Sequence, residues 1–170
     1  MKKGIIGYGG HASEVYHSLD LMERIGLKFF VDDEWYNEKN TDCLPLSKLN
    51  PNEYEVIVAI ANPKDRENVI KRLPKQTKFF THIHSSSQIM SHDIEIGEGC
   101  FIGSNTILTT NIKLGNHVIL NRGSQIGHDV IIGDYFSAMP GSIVSGNCVI
   151  GDRVYVGTNI NSIKIGRAHV

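Results

Sequence analysis

Two short stretches of this chain carry residue types able to do chemistry. In NRGSQIGHDVIIGD, residues 121–134, His128 is followed at once by Asp129. A neutral imidazole accepts a proton from an attacking nucleophile near neutral pH, and a neighbouring carboxylate can fix its tautomer. In GIIGYGGHASEV, residues 4–15, Gly7, Gly9 and Ala12 match the G-x-G-x-x-G/A spacing of a phosphate-holding turn. Backbone N–H groups at such a helix start hold phosphate oxygens. Asp32 and Asp33 follow about twenty residues later, where a ribose hydroxyl is read. The glycine loop also suits a plain strand–helix turn, and His128 taken alone is equally a solvent-exposed surface histidine.

Other reactive side chains fit less well. Cys43, Cys100 and Cys148 form no CxxC pair, which argues against a disulfide framework or a zinc site and suits a reducing cytoplasm. Cys100 and Cys148 fall on inward-facing positions of the repeat described below, so they read as packing rather than as nucleophiles. Direct transfer is then simpler than a covalent acyl intermediate. His92, His117 and His128 fall at different places around that repeat, so no metal site is expected.

The elements that position these residues change character near residue 85. Before it, KKGIIGY, LKFFVDD, YEVIVAIA and KFFTHI read as strands, and HASEVYHSLDLMERI and KDRENVIKRL as helices. Alternation of this kind implies βαβ units and a small parallel sheet. Some 84 residues supply one mononucleotide-binding half, a half-Rossmann domain, with room for a nucleoside diphosphate but not a full dinucleotide. After it, large aliphatics recur every sixth residue from Met90 to Val156, with only Ala138 smaller, and seven of the twelve are followed by glycine. A six-residue period is the mark of a left-handed parallel β-helix, three short strands to a turn. Aliphatics point inward, and glycine is expected to relieve each tight corner. A second inward set lies four residues on, including Cys100, Val118, Ser124 and Val130. The expected division is therefore 1–84, a nucleotide-binding βα domain that covers one end of the prism, and 85–170, the β-helix. With eighteen residues to a turn, His128 stacks between Gly146 and Thr110 and points outward beside bare backbone. Adjacent residues in extended chain point opposite ways, so pairing with Asp129 requires the corner to bend.

Composition narrows the partners. Of 170 residues 41% are apolar and the formal net charge is −1, so no basic field invites nucleic acid or an anionic membrane. No apolar stretch approaches the ~18 residues of a membrane span. Near the C-terminus the register predicts Ser162 in an aliphatic slot, and the next Ile-Gly falls late, at Ile165. The closing KIGRAHV also corresponds to one reading frame of a common sequencing adapter. A C-terminal truncation is the expectation here, against a natural short end with a slipped coil.

A GxGGH loop opening a half-Rossmann domain, followed by hexapeptides carrying N-x-x-x-x-I-x-H-[DE], resembles one family of hexapeptide-repeat acyltransferases. These are the sialic acid O-acetyltransferase-like and bacillosamine-pathway UDP-4-amino-sugar N-acetyltransferases. The resemblance runs from Lys2 to about residue 161. It implies a homotrimer with active sites between neighbouring solenoids, acetyl-CoA as co-substrate along the coils, and a nucleotide-sugar held by the N-terminal domain. It implies His128 as general base, Asp129 orienting it, Gly146 N–H receiving the thioester oxygen and Asn121 near the acetyl group. For the nucleotide-sugar it implies Gly7, Gly9, Gly10, His11, Asp32, Asp33 and Asn62. The family's further coils and G-x-P-A ending have no counterpart. A serine acetyltransferase-like enzyme and a non-catalytic nucleotide-sugar-binding module stay open as alternatives.

Overall fold

In the computed structural model, which describes residues 1–162, a five-stranded parallel sheet precedes a three-sided solenoid. The first sheet is built from β1 (Lys2–Ile6), β2 (Lys28–Val31), β3 (Cys43–Pro45), β4 (Tyr54–Val58) and β5 (Lys78–Phe79) in the order β3-β2-β1-β4-β5. Its central strands are buried on both faces, with Ile5, Ile6, Phe30, Val56 and Ile57 all out of solvent. That explains their continuous apolar runs. The chain leaves β1 in one direction for β2 and β3, then crosses to β4 on the other side. The strand order therefore reverses between β1 and β4, where open α/β sheets form a crevice. β3 escaped the sequence reading: it is a three-residue edge strand, the one place a proline such as Pro45 is tolerated.

Helix α1 (Gly10–Ser18) is shorter than its amphipathic pattern predicts. The expected helix runs on to Ile25, but the chain turns after Ser18. Arg24 reaches back, its Nε donating to Leu19 O (2.8 Å) and its Nη2 to His17 O (2.7 Å). These bonds satisfy carbonyls the helix end would leave open. Leu21, Met22 and Ile25 are left exposed. Helix α2 (Pro63–Arg72) starts where the sequence places it, with Asn62 as N-cap and Pro63 in the first turn.

The expected strand KFFTHI divides in two. Lys78–Phe79 closes the first sheet, and His82–Ile83 opens the solenoid by pairing with Phe101–Ile102. From there strands of two or three residues stack in three parallel sheets, their partners eighteen residues apart beyond the first turn, as Ile107↔Gln125↔Ile143 and Lys113↔Ile131↔Val149. The inward rows are buried from Ile102 to Val144 and form a single core with Cys100, Val118 and Val130. Ser162 pairs with Val144, in register as expected. The segment 163–170, which includes Ile165 and the closing KIGRAHV, lies outside the described residues.

Three expectations are corrected. Met90 does not begin the inward row: Ile89 pairs with Leu108, and Met90 is exposed, because the corner that follows holds one extra residue. The glycines after the aliphatics do not bend the chain. The left-handed corner residues form another six-step series, including Asn105, Asn111, Asp129 and Asn147. A Cβ on Gly127 would come within 2.5 Å of Gly146 N, so glycine there permits close stacking of backbones. Finally, the N-terminal domain packs on one side of the prism, not on its end. Outward-facing Phe101 and Ile119 share a core with Ile5, Ala12, Val15 and Ile57. Arg66, fully buried, pins this joint: it donates to His117 O, Ile60 O, Ala61 O, Tyr135 O, Phe136 O and Ser137 Oγ. Among the described residues no carboxylate pairs with Arg66, and burial pulls its pKa down to about 10.

Candidate active site

The strands Gln125–Ile126 and Val130–Ile132 hold the corner that carries His128 and Asp129. Asp129 adopts φ 56°, which supplies the bend the pairing requires. His128 Nδ1 then lies 2.7 Å from Asp129 Oδ2. An ionised carboxylate only accepts, so in the neutral ring Nδ1 carries the proton and Nε2 the lone pair. The coil above is locked on by Asn147 N–H donating to His128 O (2.8 Å), and the coil below by Asp129 N–H donating to Thr110 O (3.1 Å). Gly146 sits against the ring: a Cβ there would stand 2.6 Å from Nε2. Among the described residues no carbonyl accepts from Gly146 N–H. Hydrogen bonds from His128 and then Asn111 hold the Asp129 carboxyl below its usual pKa. The pair lies on open surface, with 58% of the His128 side chain and 46% of that of Asp129 exposed.

Asn121 is placed elsewhere. It follows the strand Ile119–Leu120, at another corner of the prism, where its Oδ1 accepts from Arg122 N–H (2.7 Å). With Glu14, His17, His84 and Arg122 it lines a cleft of about 250 Å³ between α1 and the prism. One chain therefore assembles His128, Asp129 and Gly146 at one corner and leaves Asn121 at a second.

At the crevice of the first sheet, Gly7, Tyr8, Phe30, Asp32, Trp35 and Ile60 help line an apolar cleft of about 280 Å³. Gly7 has φ +118°, and a Cβ on it would meet Ala59 O at 3.1 Å. Gly9 and Gly10, by contrast, face open space at the start of α1. Asp32 pairs with Arg72 (2.8 Å), and Asp33 accepts from Ser47 N–H (3.1 Å). Both line a second, acidic cleft beside the first. Asn62 Oδ1 is occupied as the cap of α2, accepting from Lys64 and Asp65 N–H. His11 turns toward the prism, edge-on to Phe101 and 3.4 Å from Glu14 Oε2, and burial lowers its pKa. The structure thus places Gly7, Asp32 and Asp33 in the lining of these two clefts, while Gly9, Gly10, Asn62 and His11 line neither.

The sequence reading missed Asn111, Tyr8 and Trp35. Asn111 lies one full turn before Asp129, so the same eighteen-residue step that finds Gly146 would have found it. Two of the cysteines are disfavoured as thiolates: burial lifts the Cys100 thiol to about 11 and raises that of Cys43. Among the described residues no three His, Cys, Asp or Glu side chains converge as metal ligands. No helix among the described residues is long and apolar enough to cross a membrane.

Residues 4–73 match the family model of the PglD N-terminal domain. No curated protein matches the chain significantly. Among solved structures, WeeI from Acinetobacter baumannii AYE superposes with a TM-score of 0.79 at 29% identity, covering 98% of this chain and 82% of that one. The acetyltransferase domain of PglB from Neisseria gonorrhoeae FA1090, in complex with acetyl coenzyme A, gives 0.63 at 18% identity, covering 95% and 92%. PerB from Caulobacter crescentus, in complex with CoA and GDP-perosamine, gives 0.52 at 16% identity, covering 96% and 92%. The motif-based resemblance is borne out by the family match at the N-terminal domain and by a shared fold along the solenoid.

Proposed function

We propose that this chain is an acetyltransferase that moves the acetyl group of acetyl-CoA to an amine or hydroxyl of a nucleotide-linked sugar. One observation carries the reading: His128 Nε2 lies over Gly146 while Nδ1 is tied to Asp129. In this reading the acceptor attacks the thioester carbonyl and passes its proton to Nε2. Gly146 N–H donates to the carbonyl oxygen as it gains charge. The C–S bond then breaks, the N–C or O–C bond remains, and the proton passes from Nε2 to the departing CoA sulfur. Asp129 keeps the imidazole in the accepting tautomer and steadies its charged form.

The nucleotide end fits the crevice of the first sheet, with its apolar cleft for a base and the open backbone at Gly9 and Gly10 for phosphates. The complexes of the PglB acetyltransferase domain with acetyl coenzyme A and of PerB with CoA and GDP-perosamine support this assignment. A homotrimer completes the site: His128 of one copy, open on its own chain, faces the Asn121 cleft of the next. Beside His128, the outward residues Ile131 and Val149 offer an apolar strip for that contact. A cytoplasmic location accords with three free cysteines.

The direct test offers acetyl-CoA with UDP-4-amino sugars, GDP-4-amino sugars, CMP-sialic acid or free sialic acid and reads a 42-dalton mass gain, about one acetyl group. His128→Ala is expected to lose about 10²–10⁴-fold in kcat while keeping its melting temperature. Unchanged turnover in that variant removes His128 as the base, and no acetylation of any sugar returns the chain to the binding-module reading.

A further inference from the structure

We propose that Asn111 is a positioning residue for the reaction, the group that aims Asp129 at His128. The inference rests on the proposed function above. Asn111 Nδ2 donates to Asp129 Oδ1, while Asp129 Oδ2 receives His128 Nδ1. The three side chains form a line, amide to carboxylate to imidazole, that ends at Nε2 over Gly146.

This contact differs from the corner ladder that surrounds it. Elsewhere, Asx side chains stack coils by accepting a backbone N–H from the turn before: Asn116 accepts from Glu98, Asp134 from Asn116, and Asp152 from Asp134. Asp93 accepts instead from the turn after it, from Asn111 N–H (2.9 Å). Asn111 alone among these turns its amide N–H₂ onto a side chain, and that side chain is the carboxylate beside the candidate base. Because the carboxylate only accepts, the amide orientation follows from chemistry.

The consequence is geometric. Asp129 is half exposed, and a carboxylate in water rotates freely about its terminal torsion. Holding Oδ1 fixes the plane of the carboxylate, and so directs a lone pair of Oδ2 at Nδ1. Without Asn111 the imidazole keeps its partner only part of the time, and the fraction of molecules with Nε2 poised over Gly146 falls. That loss appears in kcat and leaves the binding of acetyl-CoA unaltered.

Asn111 lies in the left-handed region at φ 50°, so Asn111→Gly keeps the bend and removes only the amide. Its expected behaviour is about a tenfold lower kcat, with KM for acetyl-CoA and the melting temperature close to those of the parent. Asn111→Asp, which sets a second carboxylate against Asp129, is expected to lose more. In an Asp129→Gly background, Asn111→Gly should cost nothing further, since the group it aims is gone. Wild-type kcat in Asn111→Gly, or equal losses in both backgrounds, overturns the assignment while an inactive His128→Ala leaves the function standing. An active His128→Ala removes His128 as the base and overturns the Asn111 assignment with it.

Discussion

At the scale of single residues, the site depends on one side chain that is missing. Gly146 has an ordinary backbone conformation, so its lack of a Cβ serves the space beside it and not the turn. A methyl there would stand 2.6 Å from His128 Nε2. The ring is the free end of a half-exposed side chain and can swing away, so the fold survives the change. Gly146→Ala is therefore expected to keep its melting temperature and lose at least about 10²-fold in kcat, because the base and the oxyanion donor can no longer share one acceptor. Retained kcat with a higher KM for acetyl-CoA would place Gly146 in CoA binding alone.

Elements decide what each glycine of the N-terminal loop does. Gly7 ends β1 at φ +118°, with Ala59 O already at the limit of contact. Gly9 and Gly10 open α1 with nothing near them. Gly7→Ala is thus expected to destabilise the fold by roughly 1–2 kcal/mol, read by denaturant titration. Gly9→Ala should leave stability within about 0.5 kcal/mol and raise KM for the nucleotide-sugar, since its methyl stands where a phosphate would lie against helical N–H groups. If Gly9→Ala leaves that KM untouched, the phosphates bind elsewhere. The helix itself ends early because Arg24 satisfies its last carbonyls, and an apolar period cannot report a side chain that folds back from outside it.

Taken as a whole, the molecule is a prism with its first domain fixed to one side by Arg66 and an aromatic stack. His117 lies in that joint, parallel to Tyr135 and edge-on to Phe79, and burial followed by the charge of Arg66 lowers its pKa to about 4. The unfolded chain takes up this proton near the ordinary value of about 6.5. Between those limits the unfolded state binds more protons, so stability falls as pH drops from about 6.5 to about 4 and levels below. His11 and His82, also lowered by burial, act in the same direction. Thermal melts across this window should show the decline, and His117→Phe should flatten it. An equally steep slope in that variant would move the effect to other groups. The proposed sharing of the site between copies has its own whole-molecule test: mixing His128→Ala with Asn121→Ala chains, each expected to be inactive, should restore part of the activity after subunit exchange. Mixtures that stay inactive would confine the site to one chain.

The six-residue period, the half-Rossmann alternation and the His128–Gly146 stacking were all legible in the sequence, because each rests on a spacing that the backbone repeats without help from distant residues. Asn111 was within reach of the same arithmetic. The side-on docking of the first domain, the early end of α1, the extra residue after Ile89 and the Arg66 joint were not. Each depends on which surfaces meet once the chain is compact, and a period records only that a residue faces inward or outward. Phe101 and Ile119 show the difference: their positions point them out of the prism, and only the packed domain buries them.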